Sequence, residues 1–307
     1  MIIICENCKT RYKVADNVID KPVLRVRCSK CNHRFIFQKP APQEPALVLN
    51  EEMKADSNRI ISISNQKGGV GKTSTTLNLG MSLAAMGKRV LLIDFDVQAN
   101  LTILMGYRKT KSFYDILQSR TEDLTEVIEK TGYENLFLLP SNSRMALLKK
   151  KYLNEHNYEY LLRDRLTKIK DRYDHILIDT PPSIEFFTLN ALVASNMVVI
   201  PTTCEYLSMH GINQITDIIT VIKKEINRDI DHRILMTMYN AKNTASKVMF
   251  AKVRDKYGTH VFKTFIELDD KMQESHIVNV PVVQYDDTSS SARQYKNLAK
   301  EIAGENM

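Results

Sequence analysis

Three observations predict an α/β fold, a mostly parallel sheet with helices on both faces, preceded by a small four-cysteine module. From Arg59 onward, strand-length apolar runs alternate with stretches of helical periodicity. A glycine-rich loop, Asn65–Ser74, lies between the first of those strands and the first of those helices. Two Cys-x₂-Cys pairs, separated by nineteen residues, lie near the start of the chain.

The pairs Cys5/Cys8 and Cys28/Cys31 fit the two knuckles of a zinc ribbon spanning residues 1–39. Four thiolates complete a tetrahedral site with no open position, which argues for structure and against catalysis. So short a segment cannot bury a self-sufficient core, so the metal should supply much of its folding free energy. A rubredoxin-like iron site, two disulfides and a redox dithiol are the competing readings. With four cysteines available, His33 is read as a surface or packing histidine.

This module is also basic. Residues 1–40 hold nine Lys/Arg against three Asp/Glu, a net +6 out of +7 for all 307 residues. A basic module on a near-neutral remainder suggests an acidic partner such as nucleic acid, with Arg25 and Arg27 as contact candidates. Three prolines between Pro40 and Pro45 mark an extended linker over 40–58. The N-terminus lacks a basic segment ahead of its apolar residues, and no apolar run approaches membrane-spanning length. A cytoplasmic protein without a membrane tether is expected.

Within residues 59–307 the pattern predicts strands at Ile60–Ser64, Val90–Ile93, Leu136–Leu139, His175–Ile178, Val198–Pro201 and Ile234–Met238, and another near Phe262–Phe265. Leu77, Gly80, Met81, Ala84 and Ala85 recur on one face of a helix ending near Gly87. The loop before it carries Gly68, Gly69, Val70, Gly71, Lys72, Thr73 and Ser74, a Walker A ending with Gln66 at the first glycine position. Its backbone N–H groups and the helix N-terminus favour a phosphate chain. Asp94 and Asp96 end the second strand, and Asp179 ends a strand of Walker B character. Ligands of open α/β sheets bind at the carboxyl ends of strands, so these acids and the loop are expected to converge.

Lys67–Ser74, the segment Asp94-x-Asp96-x-Gln98 and the run Asp179-Thr180-Pro181-Pro182-Ser183 together resemble the ParA/MinD family of deviant Walker A ATPases. The resemblance covers about residues 59–304 and is closer to the chromosome- and plasmid-partitioning ParA branch. It implies a P-loop ATPase using ATP and Mg²⁺, with Lys72 on the phosphates and Thr73 as metal ligand. Asp94 and Asp179 would support the metal shell, Asp96 would orient the attacking water, and Lys67 would reach the nucleotide of a second subunit. Asn240 is implied as an adenine contact and Glu205 as a ribose contact. The implied partners are a second copy when ATP is bound, non-specific DNA, and a ParB-like protein that stimulates hydrolysis, which would place the protein on the nucleoid.

Two departures from the family stand out. Val97 replaces a usual proline, and Glu267-Leu268-Asp269-Asp270-Lys271 is acidic where relatives carry a basic segment that contributes to DNA binding. Lys242 and Lys247 remain as DNA-contact candidates, and affinity is expected to shift toward the basic N-terminal module. The C-terminal stripe Tyr295, Leu298, Ala299, Ile302 reads as core-facing, unlike a membrane-targeting helix. The function expected is an ATP-switched partitioning or positioning ATPase. A zinc-ribbon regulator with little turnover and a metal-cluster carrier are the alternatives.

Overall fold

The computed structural model describes residues 2–5, 7–13, 23–38, 59–119, 123–205 and 208–305. They divide into two compact units, one within residues 1–55 and one within 56–307. The linker expected over 40–58 lies outside the described residues, as does Tyr206.

The first unit consists of two antiparallel hairpins. Strand β1 (Ile2–Ile4) pairs with β2 (Arg11–Lys13), and β3 (Val23–Arg27) pairs with β4 (Arg34–Gln38). The same cysteine-bearing turn closes both. Lys9 N–H donates to the Cys5 carbonyl at 3.0 Å, and Asn32 N–H donates to the Cys28 carbonyl at 2.9 Å. Lys9 and Asn32 both take left-handed backbone, with φ of 57° and 60°, as a chain must to reverse this tightly.

The second unit is built on a seven-stranded sheet. Its strands are β5 (Arg59–Ile63), β6 (Val90–Asp94), β7 (Glu129–Lys130), β8 (Leu136–Leu139), β9 (His175–Asp179), β10 (Met197–Thr203) and β11 (Asp231–Thr237), in the spatial order β11-β10-β5-β9-β6-β8-β7. All neighbours run parallel except β7, which hairpins onto β8. The helices are α1 (Lys72–Ala85), α2 (Asn100–Leu104), α3 (Phe113–Gln118), α4 (Ala146–Tyr152), α5 (Leu161–Leu166) and α6 (Phe186–Ala194). They continue with α7 (Ser208–Glu225), α8 (Thr244–Tyr257), α9 (Asp270–Ile277), α10 (Val282–Tyr285) and α11 (Ser290–Ala303).

Helices cover both faces, so β6 and β9 are buried at every position and apolar through most of their length. On β6, Val90 and Leu92 join the core under α1 and α11, while Leu91 and Ile93 join the opposite core with Phe95, Phe113 and Phe186. Tyr295, Leu298, Ala299 and Ile302 are buried under α11, as their spacing predicts. The Arg59 guanidinium donates to the Ile302 carbonyl and ties the first strand of this unit to its last helix.

Two expectations need correction. Helix α1 is buried beyond the one face read from the sequence: it is buried continuously from Thr75 to Ala84, whereas Ala85, assigned to that face, is exposed. It is enclosed by the sheet and by α11, so all its sides meet protein. The run Phe262–Phe265 forms no regular strand. It is held beside β11 at isolated points, with Phe262 N–H on the Ile234 carbonyl and Ile266 N–H on the Met236 carbonyl. Phe265 turns instead into an aromatic cluster with Tyr239 and Phe250.

Helix α1 crosses β6 closely because Gly80 has no side chain. A Cβ there would lie 2.4 Å from Leu92 Cδ2 and 3.3 Å from Leu177 Cδ1. Gly80→Val is therefore expected to lower stability by about 1–3 kcal/mol through overpacking. A thermal melt checks this, and an unchanged Tm would show that the interface has slack.

Candidate nucleotide site and metal centre

The carboxyl ends of β5, β6, β9 and β11 surround a cleft of about 510 Å³. Its floor is the loop after β5. Gly69 and Gly71 hold φ of 72° and 83°, values that disfavour any residue with a Cβ and that turn successive N–H groups toward one point. The loop is braced from behind. Asn65 Oδ1 accepts the Lys67 N–H at 3.0 Å, and its Nδ2 donates to the Pro201 carbonyl at 2.7 Å. Gly211 of α7 lies so close that a Cβ would be 2.9 Å from Asn65 Oδ1. Thr237 Oγ1 donates to the Val70 carbonyl at 3.0 Å, so Val70, itself buried, fastens the loop to β11.

The three aspartates converge. Asp94 and Asp179 are register partners on adjacent strands. Thr73 Oγ1 donates to Asp179 Oδ2 at 2.7 Å, which links the Walker A threonine directly to the Walker B carboxylate. Asp94 is held by Thr102, whose N–H and hydroxyl donate at 2.8 and 2.6 Å, and by the Asp96 N–H at 3.2 Å. Asp96 lines the cleft and accepts the Gln98 N–H at 3.0 Å.

Crowded carboxylates in a dry pocket resist ionisation. Burial pushes the Asp94 pKa to about 6, against the hydrogen bonds from Thr102. Burial also raises the Asp179 pKa well above the usual range, with the Asp94 charge adding to the effect. Burial lowers the Lys72 pKa, against the attraction of Asp179 and Asp96. Oxygen donors of this kind suit a hard divalent cation, whose charge would offset that cost. Thr73 beside Asp179, with Asp94 behind, fits Mg²⁺.

The two loop lysines differ in their surroundings. Lys72 Nζ lines the cleft and donates to the Lys67 carbonyl at 3.1 Å. Lys67 is not among the cleft-lining residues. Its Nζ forms an ion pair with Glu205 and lies 3.4 Å from Thr203 Oγ1. Glu205 therefore meets a lysine where a ribose contact was expected. Asn240, expected near adenine, uses Oδ1 to accept the Lys242 N–H in a local turn, and neither residue lines the cleft.

Sequence reasoning did not assign Met238 and His276, which line it. Met238 directly follows β11 with a φ of 51°, a strained value of the sort that tertiary contacts impose near functional sites. His276 comes from α9, with Nε2 3.4 Å from Ser74 Oγ. No local motif announces either. Gln98, Thr180 and Pro182, from segments with sequence motifs of their own, complete the wall together with Asn100, Ile103 and Leu104.

In the first unit the sulfurs of Cys5, Cys8, Cys28 and Cys31 all lie within 4.8 Å of one another. An all-sulfur donor set on two tight turns fits a closed tetrahedral ion. Thr10 Oγ1 lies 3.1 Å from Cys8 Sγ, and the Tyr12 hydroxyl lies 3.1 Å from Cys28 Sγ, an outer layer that would hold thiolates in place. Cys204, the single cysteine beyond this module, has its thiol pushed up to about 11 by burial. That suits a packed thiol and gives the cluster-carrier alternative no support.

A family model described as an AAA domain matches residues 58–232, and one described as a zinc-ribbon domain matches residues 1–36. The sporulation initiation inhibitor protein Soj of Bacillus subtilis is 38% identical over 249 residues, 80% of this chain and 98% of that protein. The chromosome partitioning protein ParA of Myxococcus xanthus is 34% identical, over 80% of this chain and 87% of that protein. This chain is a ParA-family ATPase. Among solved structures, this ParA-family ATPase resembles a putative plasmid partition protein of Borrelia burgdorferi bound to AMPPNP (26% identity, TM-score 0.67, 80% of this chain and 99% of that one). It also resembles cobyrinic acid a,c-diamide synthase of Mycobacterium smegmatis with bound ADP and magnesium (29% identity, TM-score 0.69, 80% and 94%). The ParA-family ATPase carries an N-terminal zinc-ribbon domain, and no described helix is long and apolar enough to cross a membrane.

Proposed function

We propose that this ATPase is an ATP-switched positioning protein in which two copies close over their nucleotides and Lys67 of each reaches the ATP of the other. The observation that carries the reading is the second lysine of the loop. It stands outside its own cleft on Glu205, while Lys72 already supplies the positive charge inside. Phosphoryl transfer depends on positioning and on positive charge at the developing oxyanions, so a lysine delivered in trans would act as a finger residue.

Within one subunit, backbone N–H groups of Gly68–Ser74 and Lys72 would hold the phosphates, and Asp96 would orient the attacking water. Mg²⁺, held by Thr73 with Asp94 and Asp179 behind it, would screen the phosphate charge. Thr102 fixes Asp94, and Thr73 and Thr76 fix Asp179, so both carboxylates are oriented before nucleotide arrives. Light scattering with Asp96→Ala, which should bind ATP without turning it over, tests the switch. A doubled mass with ATP and not with ADP is expected, and a monomer under saturating ATP would overturn it.

The closed pair would bind DNA in a cytoplasmic, nucleoid-associated setting, and a ParB-like partner would stimulate its hydrolysis. Lys242 and Lys247 are exposed on the ATPase unit. On the ribbon, Arg27 lies directly opposite Arg34 across the β3–β4 pair and both are exposed. Like charges so placed are unfavourable alone, and a phosphate backbone would relieve them. Arg25 lies two positions before Arg27 on β3. The acidic stretch keeps its net negative charge, although one carboxylate caps a helix and a neighbouring one is ion-paired. Asp269 is taken up by Ser290, Ser291 and the α9 N-terminus, and Glu274 by Lys271 and Tyr285.

The full chain should therefore bind DNA more tightly than a chain starting near Ser57, with a steeper salt dependence. Every phosphate that the shorter chain leaves unneutralised should reduce the slope of log K against log[salt] by about 0.9. Equal affinities and equal slopes would remove the ribbon from the DNA interface.

A further inference from the structure

The cleft contains one titratable group that the proposed hydrolysis does not use. His276 approaches from α9 and meets the loop at Ser74, directly after the Lys72-Thr73 pair. The two residues are 202 positions apart in the chain, so this contact is a product of the fold. Among the described residues, three titratable side chains line the cleft: Lys72, Asp96 and His276. Of these, histidine is the type that ordinarily changes charge near neutral pH.

We propose that His276 is a nucleotide-positioning residue that leaves Ser74 and binds the phosphate chain of ATP or ADP as an imidazolium, taking up a proton as the nucleotide binds. The proposal rests on the cleft being the nucleotide site. Its geometry is favourable, because a group already 3.4 Å from the loop's last residue needs little movement to reach a ligand cradled by that loop.

Among the described residues, the free protein offers this imidazole no anionic partner. Burial alone lowers its pKa. The charged and titratable groups on the surrounding elements are Lys72 on α1, Asp96 after β6 and Tyr285 on α10, with Asp270, Lys271 and Glu274 on α9 itself. Lys271 and Glu274 satisfy each other, and Tyr285 donates to Glu274. The neutral form therefore prevails in the free protein, and a polyphosphate would supply the missing counter-charge. The sign follows: protonation strengthens binding, so affinity rises as pH falls through the neutral range.

Binding of fluorescent ATP and ADP analogues to the full chain, measured between about pH 6 and 8, tests this. Wild type should gain several-fold in affinity on going down that range relative to His276→Ala and His276→Gln, toward a ceiling of about tenfold for each unit of pKa shift. Comparison with the variants cancels the titration of the nucleotide itself, and the effect should hold for both nucleotides. Thermal unfolding without nucleotide reports any purely structural loss. Parallel pH profiles in wild type and His276→Ala would overturn the role of His276. A wild type that binds neither nucleotide at any pH would instead overturn the cleft assignment on which the proposal rests.

Discussion

Lys67→Ala is expected to bind ATP nearly as well as wild type, yet to lose about 10³-fold or more of its partner-stimulated turnover and its stable ATP dimer. The magnitude is that of a finger residue supplied in trans. Binding should survive because Lys67 stands outside its own cleft, on Glu205. That ion pair is partly exposed and worth only about 0–1 kcal/mol, so Lys67 can exchange Glu205 for a phosphate at little cost.

Lys72→Ala is expected to behave in the opposite way. It removes a buried ammonium inside the cleft, and without that charge-assisted hydrogen bond to phosphate ATP binding should weaken by roughly 100-fold. Nucleotide titration and single-turnover hydrolysis, run on both variants with DNA and the stimulating partner present, separate the two. Wild-type-like turnover in Lys67→Ala would end the cross-subunit assignment.

Removal of the bound metal should unfold residues 1–38 and leave the ATPase unit folded. Metal binding in structural zinc sites supplies about 10–16 kcal/mol of apparent free energy at neutral pH. Two short hairpins cannot replace that from packing. Metal analysis should find one zinc per chain, and an iron site would reveal itself by visible absorbance. A zinc-selective chelator with Mg²⁺ kept in excess, or Cys28→Ser, should make the N-terminal unit protease-sensitive while basal ATPase and the melting of the larger unit persist. The same loss should appear on acidification, since thiolates hold the metal and protonation displaces it. Continued protease protection of residues 1–38 after chelation would refute a structural ion.

Much of this was legible in the sequence because the chemistry is carried by contiguous chain. A loop that cradles phosphate needs glycines at fixed spacing, and a metal knuckle needs Cys-x₂-Cys, so each motif is complete within a few residues. The central strands were legible for a related reason: burial on both faces makes them unbroken apolar runs, as at Val90–Ile93. Where burial came without strand pairing, the pattern misled. The two phenylalanines of Phe262–Phe265 are there to pack, Phe262 in the core and Phe265 in an aromatic cluster, and not to pair as a strand, and the two-residue β7 is too short to leave a pattern.

The sequence by itself determined the loop with its two lysines, the aspartates at strand ends and the four cysteines. Only the tertiary structure decided how these are deployed. It placed Lys67 on Glu205, paired Asp94 with Asp179 in register, and brought Met238 and His276 to the cleft. The physical reason is distance along the chain. Backbone conformation and metal-ligand spacing are local properties, whereas a contact such as Ser74 with His276 exists only after strands from across the sequence have packed into one sheet and carried their ends to the same edge.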